Sequence, residues 1–341
     1  MVIVESYSLA VVMCFITMLC WGSWANTQKL ATKEWRFQLF YWDYSVGVLL
    51  LTVVLALTMG SMGSLGRSFF ADVGQADTAS IGWAMLGGVV FNLANILLVV
   101  AIDIAGLAVA FPIGIGLALV LGVFYNYLPT PEAYNEPILF IGVACITVAI
   151  IVNALAYKKL STDQKTTQSG VIISILCGVI MSLFFFLVTK ALAGNMKTPE
   201  AGKLTPYTAL VFFSLGLFLS NFIFNTYVMA KPFTGEPVPF GDYFKKGTPK
   251  LHIVGILGGA IWGVGMSFSL IAGDSAGYAI SYGLGQGATL VAAVWGVFIW
   301  KEFKNAPKGT RPYLAIMFLL YIIGLISIIK ANVPVEAVTG Q

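Results

Sequence analysis

Residues 275–300 of the chain read SAGYAISYGLGQGATLVAAVWGVFIW and contain no Asp, Glu, Lys or Arg. A helix needs about 20 apolar residues to cross the roughly 30 Å hydrocarbon core of a bilayer, so this run is long enough to span it. Nine further uncharged runs of at least 18 residues occur among the 341 residues, with the charges between them: 6–28, 44–66, 78–102, 104–131, 137–157, 166–189, 204–230, 251–273 and 312–329. We therefore predict an all-α integral membrane protein with ten transmembrane helices.

The composition argues against a soluble protein. Hydrophobic residues make up 58% of the chain, charged residues make up 10%, and the mean hydropathy is +0.88. Too little polar surface remains for a water-soluble domain, and the connections between the runs are too short for an appended catalytic domain. The 4 cysteines fall inside apolar runs without a CxxC spacing, so we expect buried thiols and no disulfide, metal or cofactor.

The basic residues indicate the orientation, because Lys and Arg are hard to translocate and accumulate in short cytoplasmic loops. Of the 19 basic residues, 14 lie on one side of the predicted bundle, in 29–36, 158–165, 231–250 and 301–311, and 5 lie on the other. We call the first the basic side. It predicts a multi-pass protein of the cell (inner or plasma) membrane with both termini extracytoplasmic. The bias also explains the net charge of +4, so we expect the lipid bilayer, and no nucleic acid, as a partner.

The chain contains an internal repeat. A shift of 171 residues places LGG at 86–88 on LGG at 257–259 and, in the same alignment, Asp103 on Asp274. We predict an N-terminal five-helix repeat at 1–157, a basic cytoplasmic linker at 158–168, a C-terminal five-helix repeat at 169–330 and a tail at 331–341. An odd number of spans makes the second repeat enter the membrane from the opposite face, so the repeats are inverted, as is typical of alternating-access transporters.

Four segments together resemble a known family: AGYAISYGLGQGATLVAAVWGVFIWKEF at 276–303, AGLAVAFPIGIGLALVLGVFYNYL at 105–128, CWGSWANTQK at 20–29 and YWDYS at 41–45. They resemble the ureide permease and glucose/ribose porter group, which is rhamnose-transporter-like, of the drug/metabolite transporter superfamily. The resemblance implies that superfamily's fold of two inverted five-helix repeats, with substrate held centrally between them. It also implies cargo such as glucose, ribose or rhamnose, or ureides and nucleobases such as allantoin and uracil, commonly carried with a proton.

Polar residues at which the two repeats differ are candidates for substrate contact, because a small solute is not two-fold symmetric. Asn92, Asn95 and Gln286 each align with an apolar residue or a glycine of the other repeat. The two asparagines lie three residues apart and share a helical face. The alternative is that these amides form interhelical hydrogen bonds, since a buried amide must find a partner in a bilayer.

Helix breaks give a second indication of the site. Pro112 and Gly283 occupy aligned positions and are predicted to interrupt the fourth and ninth helices, where freed carbonyls can line a cavity. A harmless kink is the alternative. Phe111, Trp262 and Tyr282 lie near these positions, and their ring faces suit a sugar or a planar nucleobase, with core packing as the other interpretation.

The first predicted helix ends in a polar and aromatic segment. We include Trp21, Trp24 and Asn26 of this segment among the substrate-binding candidates. For the tryptophans the alternative is an interfacial anchor at the membrane edge.

Coupling to a proton requires a titratable group inside the membrane. Asp43 lies about two helical turns beyond Arg36 and is our candidate, with sodium as the alternative ion. If Asp43 instead pairs with Lys29 or Arg36, coupling moves elsewhere or the protein is a facilitator. We expect Asp103 and Asp274 to cap the helices that follow them.

These observations predict a secondary active permease for a small, neutral, polar metabolite, either a sugar or a ureide or nucleobase, taken up with a proton by alternating access. Export of drugs or amino acids is the alternative within the same superfamily. A membrane enzyme is disfavoured because the sequence shows no intramembrane His/Glu cluster, Ser/Lys dyad or acidic pair motif. A receptor is disfavoured because inverted repeats serve alternating access.

Overall fold

The computed structural model describes residues 1–31, 35–160 and 167–333, and within these ranges it is helical without a β-strand. Ten helical spans are long and apolar enough to cross a membrane, which confirms the predicted number. We number them span 1 to span 10 in chain order: Tyr7–Leu30, Phe37–Leu57, Thr78–Ala105, Val109–Tyr127, Glu136–Lys158, Gln168–Thr189, Pro206–Ala230, Pro249–Ala276, Tyr278–Ile299 and Arg311–Lys330.

Polar side chains fix several span ends. Asp77, Asn135, Thr167 and Thr248 accept hydrogen bonds from the first turns of spans 3, 5, 6 and 8. Each satisfies a backbone N–H that a helix start leaves free. Short helices occupy some of the connections: Phe69–Gln75, the 3₁₀ turn Pro131–Ala133 and Gly241–Lys245.

The expected capping by Asp103 and Asp274 is wrong. Both residues lie in the last turns of spans 3 and 8, and the next helices begin after Gly106 and Gly277, which provide no side-chain cap. The φ angles of these two glycines are 77° and 81°, a region that glycine adopts without strain. One glycine therefore suffices to join each pair of helices.

The main contacts between spans stay the same when each span of one half is replaced by the corresponding span of the other half. Span 3 packs on spans 6 and 7, and span 8 packs on spans 1 and 2. Span 4 packs on span 6 as span 9 packs on span 1, and spans 5 and 10 pack on each other. This pattern supports the two-repeat hypothesis, which stays a prediction.

Two spans at the centre of the bundle are interrupted. Span 1 breaks at Trp24, between the helices Tyr7–Ser23 and Ala25–Leu30. Span 9 breaks in a turn at Gln286 and Gly287 and ends in a π-helical segment, Trp295–Ile299.

These breaks differ from the predicted ones. The helix of span 4 runs from Leu107 to Tyr127 through Pro112 without interruption. A proline inside a helix removes one backbone donor and crowds the preceding turn, and this helix accommodates both without ending. Gly283 lies inside the first helix of span 9, Tyr278–Gly285, and the break follows three residues later. The expected break at Pro112 is therefore wrong, and the one at Gly283 is displaced.

Candidate functional site

A cavity of about 680 Å³ lies among spans 1, 2, 3, 4, 5 and 9. A smaller chamber of about 130 Å³ continues it toward the middle of the bundle. The two share Trp21, Asn95, Phe111 and Thr289 in their linings. We treat them as one central cavity with an inner chamber.

The central cavity opens on the basic side. Its outer lining includes Lys29, Leu160 and Glu302, which lie at or just beyond the ends of spans 1, 5 and 9 on that side. Toward the opposite face, the start of span 9 contacts the connection between spans 4 and 5, where the Ala279 N–H donates to the Tyr134 hydroxyl at 3.3 Å. The lining that the structure describes therefore reaches one face of the bundle.

Aromatic rings form the inner chamber. Phe91 packs against Trp262 with ring centroids 4.3 Å apart and against Phe184 at 5.1 Å. Trp21 and Phe111 line the same chamber from spans 1 and 4. These side chains present flat apolar faces, against which a ring or a planar group can pack.

Neutral polar side chains complete the inner chamber, namely Asn95, Gln286 and Thr289. The Asn95 Nδ2 donates to the Tyr41 hydroxyl at 3.1 Å, and the Thr289 hydroxyl accepts from the Tyr321 hydroxyl at 2.8 Å. A carboxamide carries both donors and an acceptor. Asn95 and Gln286 can therefore bind hydroxyl, carbonyl or N–H groups of a neutral solute.

An acid at the mouth joins two spans. The Glu302 Oε1 lies 2.9 Å from the Lys29 Nζ, and the Tyr157 hydroxyl donates to Oε2 at 2.6 Å. Burial alone would raise the pKa of Glu302, but the hydrogen bonds from Tyr157 and Lys29 and the positive charge of Lys29 outweigh it and hold the pKa below its usual value. Beside this pair, the Trp300 Nε1 donates to the Asn26 Oδ1 at 2.6 Å.

The structure brings together most of the predicted substrate-binding residues. Seven of them line the central cavity: Trp21, Trp24, Asn26, Asn95, Phe111, Trp262 and Gln286. Asn92 and Tyr282 lie behind this lining. The Asn92 Nδ2 donates to the Ser220 Oγ at 2.8 Å, which is the interhelical hydrogen bond given as the alternative. Tyr282 is fully buried and donates to the Ala118 carbonyl at 3.1 Å, so we leave both residues out of the site.

Further lining residues were missed from the sequence: Asn153, Tyr157, Phe184, Thr289, Trp300 and Glu302. Asn153 could have been predicted as a lining residue, because a lone amide within an apolar run is costly to bury unless it finds a hydrogen-bond partner. Phe184 and Tyr157 could not have been predicted in this way, since their exposure depends on where the neighbouring spans lie.

Asp43 lies outside the cavity, in a buried cluster on the basic side, and its side chain is 2% exposed. The His252 Nδ1 lies 3.0 and 3.1 Å from its two carboxylate oxygens, and the Tyr243 hydroxyl donates to Oδ1. Lys29 and Arg36, the partners that would have argued against coupling, make their contacts elsewhere. His252 is therefore the partner that the sequence did not reveal.

Comparison with known proteins gives a family match over most of the chain. A family model described as Ureide permease matches residues 40–169 and 162–331. Ureide permease 1 of Arabidopsis thaliana is 31% identical over 167 residues, which cover 49% of this chain and 43% of that protein. A putative sugar uptake protein YxfA of Lactococcus lactis is 29% identical over 129 residues, which cover 36% of this chain and 43% of that protein.

The chain aligns with less than half the length of these curated relatives. One solved crystal structure matches 94% of this chain and 96% of that chain, with a TM-score of 0.63 at 16% identity. At this identity the likeness concerns the fold alone.

Proposed function

This chain belongs to the ureide permease family; from this premise we propose that it is a membrane transporter of small metabolites rather than an enzyme, and that it carries a neutral polar solute, a sugar or a ureide or nucleobase. Transport proceeds by alternating access and is coupled to proton uptake. The relatives' names support both solute classes, since one group is called ureide permeases and another relative a sugar uptake protein.

The charge of the cavity lining carries the proposal that the solute is neutral. Within the described lining, Lys29 and Glu302 are the charged residues, and they lie at the mouth and pair with each other. An ionic solute in the inner chamber would lose its hydration without gaining a counter-charge, which is costly in a low-dielectric interior. A neutral solute loses much less and can exchange its water contacts for the amides of Asn95 and Gln286.

The shape of the site supports a small ring. Cavities that bind small molecules commonly have volumes of about 300–1,000 Å³ and combine an apolar wall with a few polar groups, and this cavity has about 680 Å³. Flat aromatic walls pack equally well against the C–H face of a sugar and against a planar ureide or nucleobase ring. The wall supports a ring-shaped solute and leaves both classes open.

Alternating access is supported by the exchange-symmetric packing of the two halves. Two similar inverted halves can exchange conformations, so a state open to one face has a counterpart open to the other. With the basic side assigned to the cytoplasm, this structure corresponds to the inward-open state, and both termini lie outside.

Proton coupling is supported by a buried titratable group on the basic side. Asp43 remains our coupling residue, because it lies within span 2, is buried and is not held in an ion pair with Lys29 or Arg36. Sodium is the alternative ion.

Uptake into proteoliposomes tests the proposal. Radiolabelled glucose, ribose, uracil and allantoin are offered with and without a pH gradient that is acidic on the side of entry. We expect saturable uptake of at least one of them, driven above equilibrium by the gradient. Saturable uptake without accumulation would identify a facilitator. Outward transport of a cationic drug or an amino acid, with none of the four solutes carried, would refute the proposal.

A further inference from the structure

We propose that Asp43 and His252 together form the proton-binding site of this transporter, outside the substrate cavity, and that Tyr243 positions the carboxylate. The inference rests on the proposed function, because a proton site matters for transport only if a solute is carried. It assigns a binding role to His252, the one histidine in the chain.

The geometry is that of a shared proton. The His252 Nδ1 lies 3.0 Å from Oδ1 and 3.1 Å from Oδ2 of Asp43, so one N–H can serve both oxygens. The Tyr243 hydroxyl donates to Oδ1. Burial raises the pKa of Tyr243, and the hydrogen bond to Asp43 and its negative charge raise it further, so the phenol stays protonated and donates.

The groups that face the pair come from three helices and from the connection that precedes span 2. Asp43 on span 2 meets His252 on span 8 and Tyr243 on the Gly241–Lys245 helix. His252 also meets the Trp35 ring edge-on, with centroids 5.1 Å apart, and the Tyr243 ring at 4.7 Å. Near Tyr243, Asp242 on the same short helix and Lys246, the residue that follows this helix, pair with each other at 2.8 Å.

Because the pair is buried, a net charge on it is energetically unfavourable. A carboxylate that is 2% exposed beside a neutral imidazole leaves one uncompensated negative charge at the membrane. Binding a proton converts this into an imidazolium–carboxylate pair with no net charge, which is favoured in a low-dielectric environment. The His252 side chain is 28% exposed, so the imidazole provides the route by which the proton enters.

The pair is connected to the substrate site through the two helices that carry it. Tyr41 and Tyr44 lie within one turn of Asp43: Tyr41 accepts the hydrogen bond of Asn95, and Tyr44 packs against the Trp24 ring with centroids 4.9 Å apart. His252 shares span 8 with the cavity residue Trp262. A change in how spans 2 and 8 meet at the pair can therefore reach the cavity lining through these contacts.

Proton binding can be measured without any substrate. Selective ¹⁵N-histidine labelling of the full-length protein in lipid nanodiscs gives one imidazole signal pair. We expect a neutral imidazole that carries its proton on Nδ1, hydrogen-bonded to the carboxylate, and that takes up one further proton on acidification. Asp43→Asn should abolish the Nδ1–H preference. Asp103→Asn, a matched control on another span of the same side, should leave it intact. An Asp43→Asn spectrum identical to wild type would overturn the assignment.

Transport measurements distinguish a loss of proton coupling from a loss of solute binding. Asp43→Asn and His252→Gln should reduce pH-gradient-driven accumulation at least about tenfold and retain solute exchange at equal pH on both sides. Tyr243→Phe should keep accumulation and move the midpoint of its pH profile upward by roughly half a unit to one unit, since the carboxylate loses a donor. Wild-type accumulation by His252→Gln would contradict the proposal. If no solute is carried, the transport function has failed, and the histidine spectra alone decide on the proton site.

Discussion

The indole rings of Trp21 and Trp262 are stacked, with centroids 5.9 Å apart and planes inclined by 12°. They belong to span 1 and span 8, and so to different halves of the chain, and both line the inner chamber of the cavity. Phe213 continues the stack on Trp262 at 6.0 Å. A solute in this chamber therefore meets an aromatic surface built by both halves, and a movement between the halves changes that surface.

Replacing the Trp262 ring should weaken solute binding. Trp262→Leu keeps an apolar side chain without a flat face, and we expect KM to rise roughly 2- to 10-fold, the range that aromatic packing contributes beyond burial. Trp262→Phe should stay close to wild type. Phe213→Leu is the matched control, because Phe213 lies outside the lining; it should lower the thermal stability and leave KM unchanged. Equal KM values for Trp262→Leu and Trp262→Phe would argue against a ring in contact with solute.

The two asparagines of span 3 should behave differently when truncated. Asn95→Ala removes an amide that lines the cavity, and the loss of a hydrogen bond to solute should raise KM roughly 10- to 100-fold. Asn92→Ala removes an amide that is bonded to Ser220, and it should lower the melting temperature with little effect on KM. Uptake kinetics and thermal unfolding in detergent measure both effects. A larger KM effect for Asn92→Ala would restore Asn92 to the site.

Charge-free runs were sufficient to predict the spans, because a bilayer leaves a chain few alternatives to helices of about 20 apolar residues. The run 275–300, for instance, contains span 9, Tyr278–Ile299. It was harder to predict from the sequence which side of each helix faces the cavity. Asn92 and Asn95 share a face by spacing alone, yet a neighbouring helix covers one amide and leaves the other at the cavity.

No pattern in the sequence predicted the contact between Asp43 and His252. The two residues are separated by 209 positions and meet because spans 2 and 8 cross closely. The position of that crossing depends on side-chain packing along both helices, which no single-sequence pattern encodes. The break in span 9 was likewise displaced from Gly283, since several glycines of that segment permit a turn and packing selects among them.

The contacts of Glu302 should depend on pH. The pKa of Glu302 in the folded protein lies below its ordinary value of 4.5, so its contacts stabilise the fold above that pH and are lost as the pH falls through the folded value. We expect Glu302→Gln to lower the melting temperature slightly at pH 7 and to match wild type at a pH well below 4.5. Glu5→Gln, whose ion pair with Lys197 is more than half exposed, should have a smaller effect at pH 7. A constant difference between Glu302→Gln and wild type across the pH range would contradict this account.

The orientation can be tested with single cysteines. Lys308→Cys lies on the basic side and Lys197→Cys on the other, each in a background without the native cysteines. In intact cells a membrane-impermeant thiol reagent should modify Lys197→Cys, and it should modify Lys308→Cys only after the membrane is permeabilised. The reverse pattern would place both termini in the cytoplasm and make the present state outward-open.

Alanine substitutions at Gly88 and Gly259, each at a close crossing of two spans, should have similar effects on stability if the halves are repeats. A Cβ on Gly259 of span 8 would lie 1.9 Å from the Tyr44 carbonyl oxygen, and a Cβ on Gly88 of span 3 would lie 1.9 Å from the Phe213 carbonyl oxygen. Backbone atoms cannot move aside as flexible side chains do, so either alanine must push two spans apart, at a cost of about 1–3 kcal/mol or more. We expect Gly259→Ala and Gly88→Ala to lower the melting temperature by similar amounts.

The matched control for these substitutions is Gly82→Ala, on the same span as Gly88, where an added Cβ meets nothing within 4 Å. It should be neutral or slightly stabilising, because alanine favours the helix over glycine. A strong loss for Gly88→Ala with none for Gly259→Ala would show that the two crossings differ, although the 171-residue shift relates them. The two-repeat hypothesis would then lose its physical basis, because the halves could not reach conformations of comparable energy.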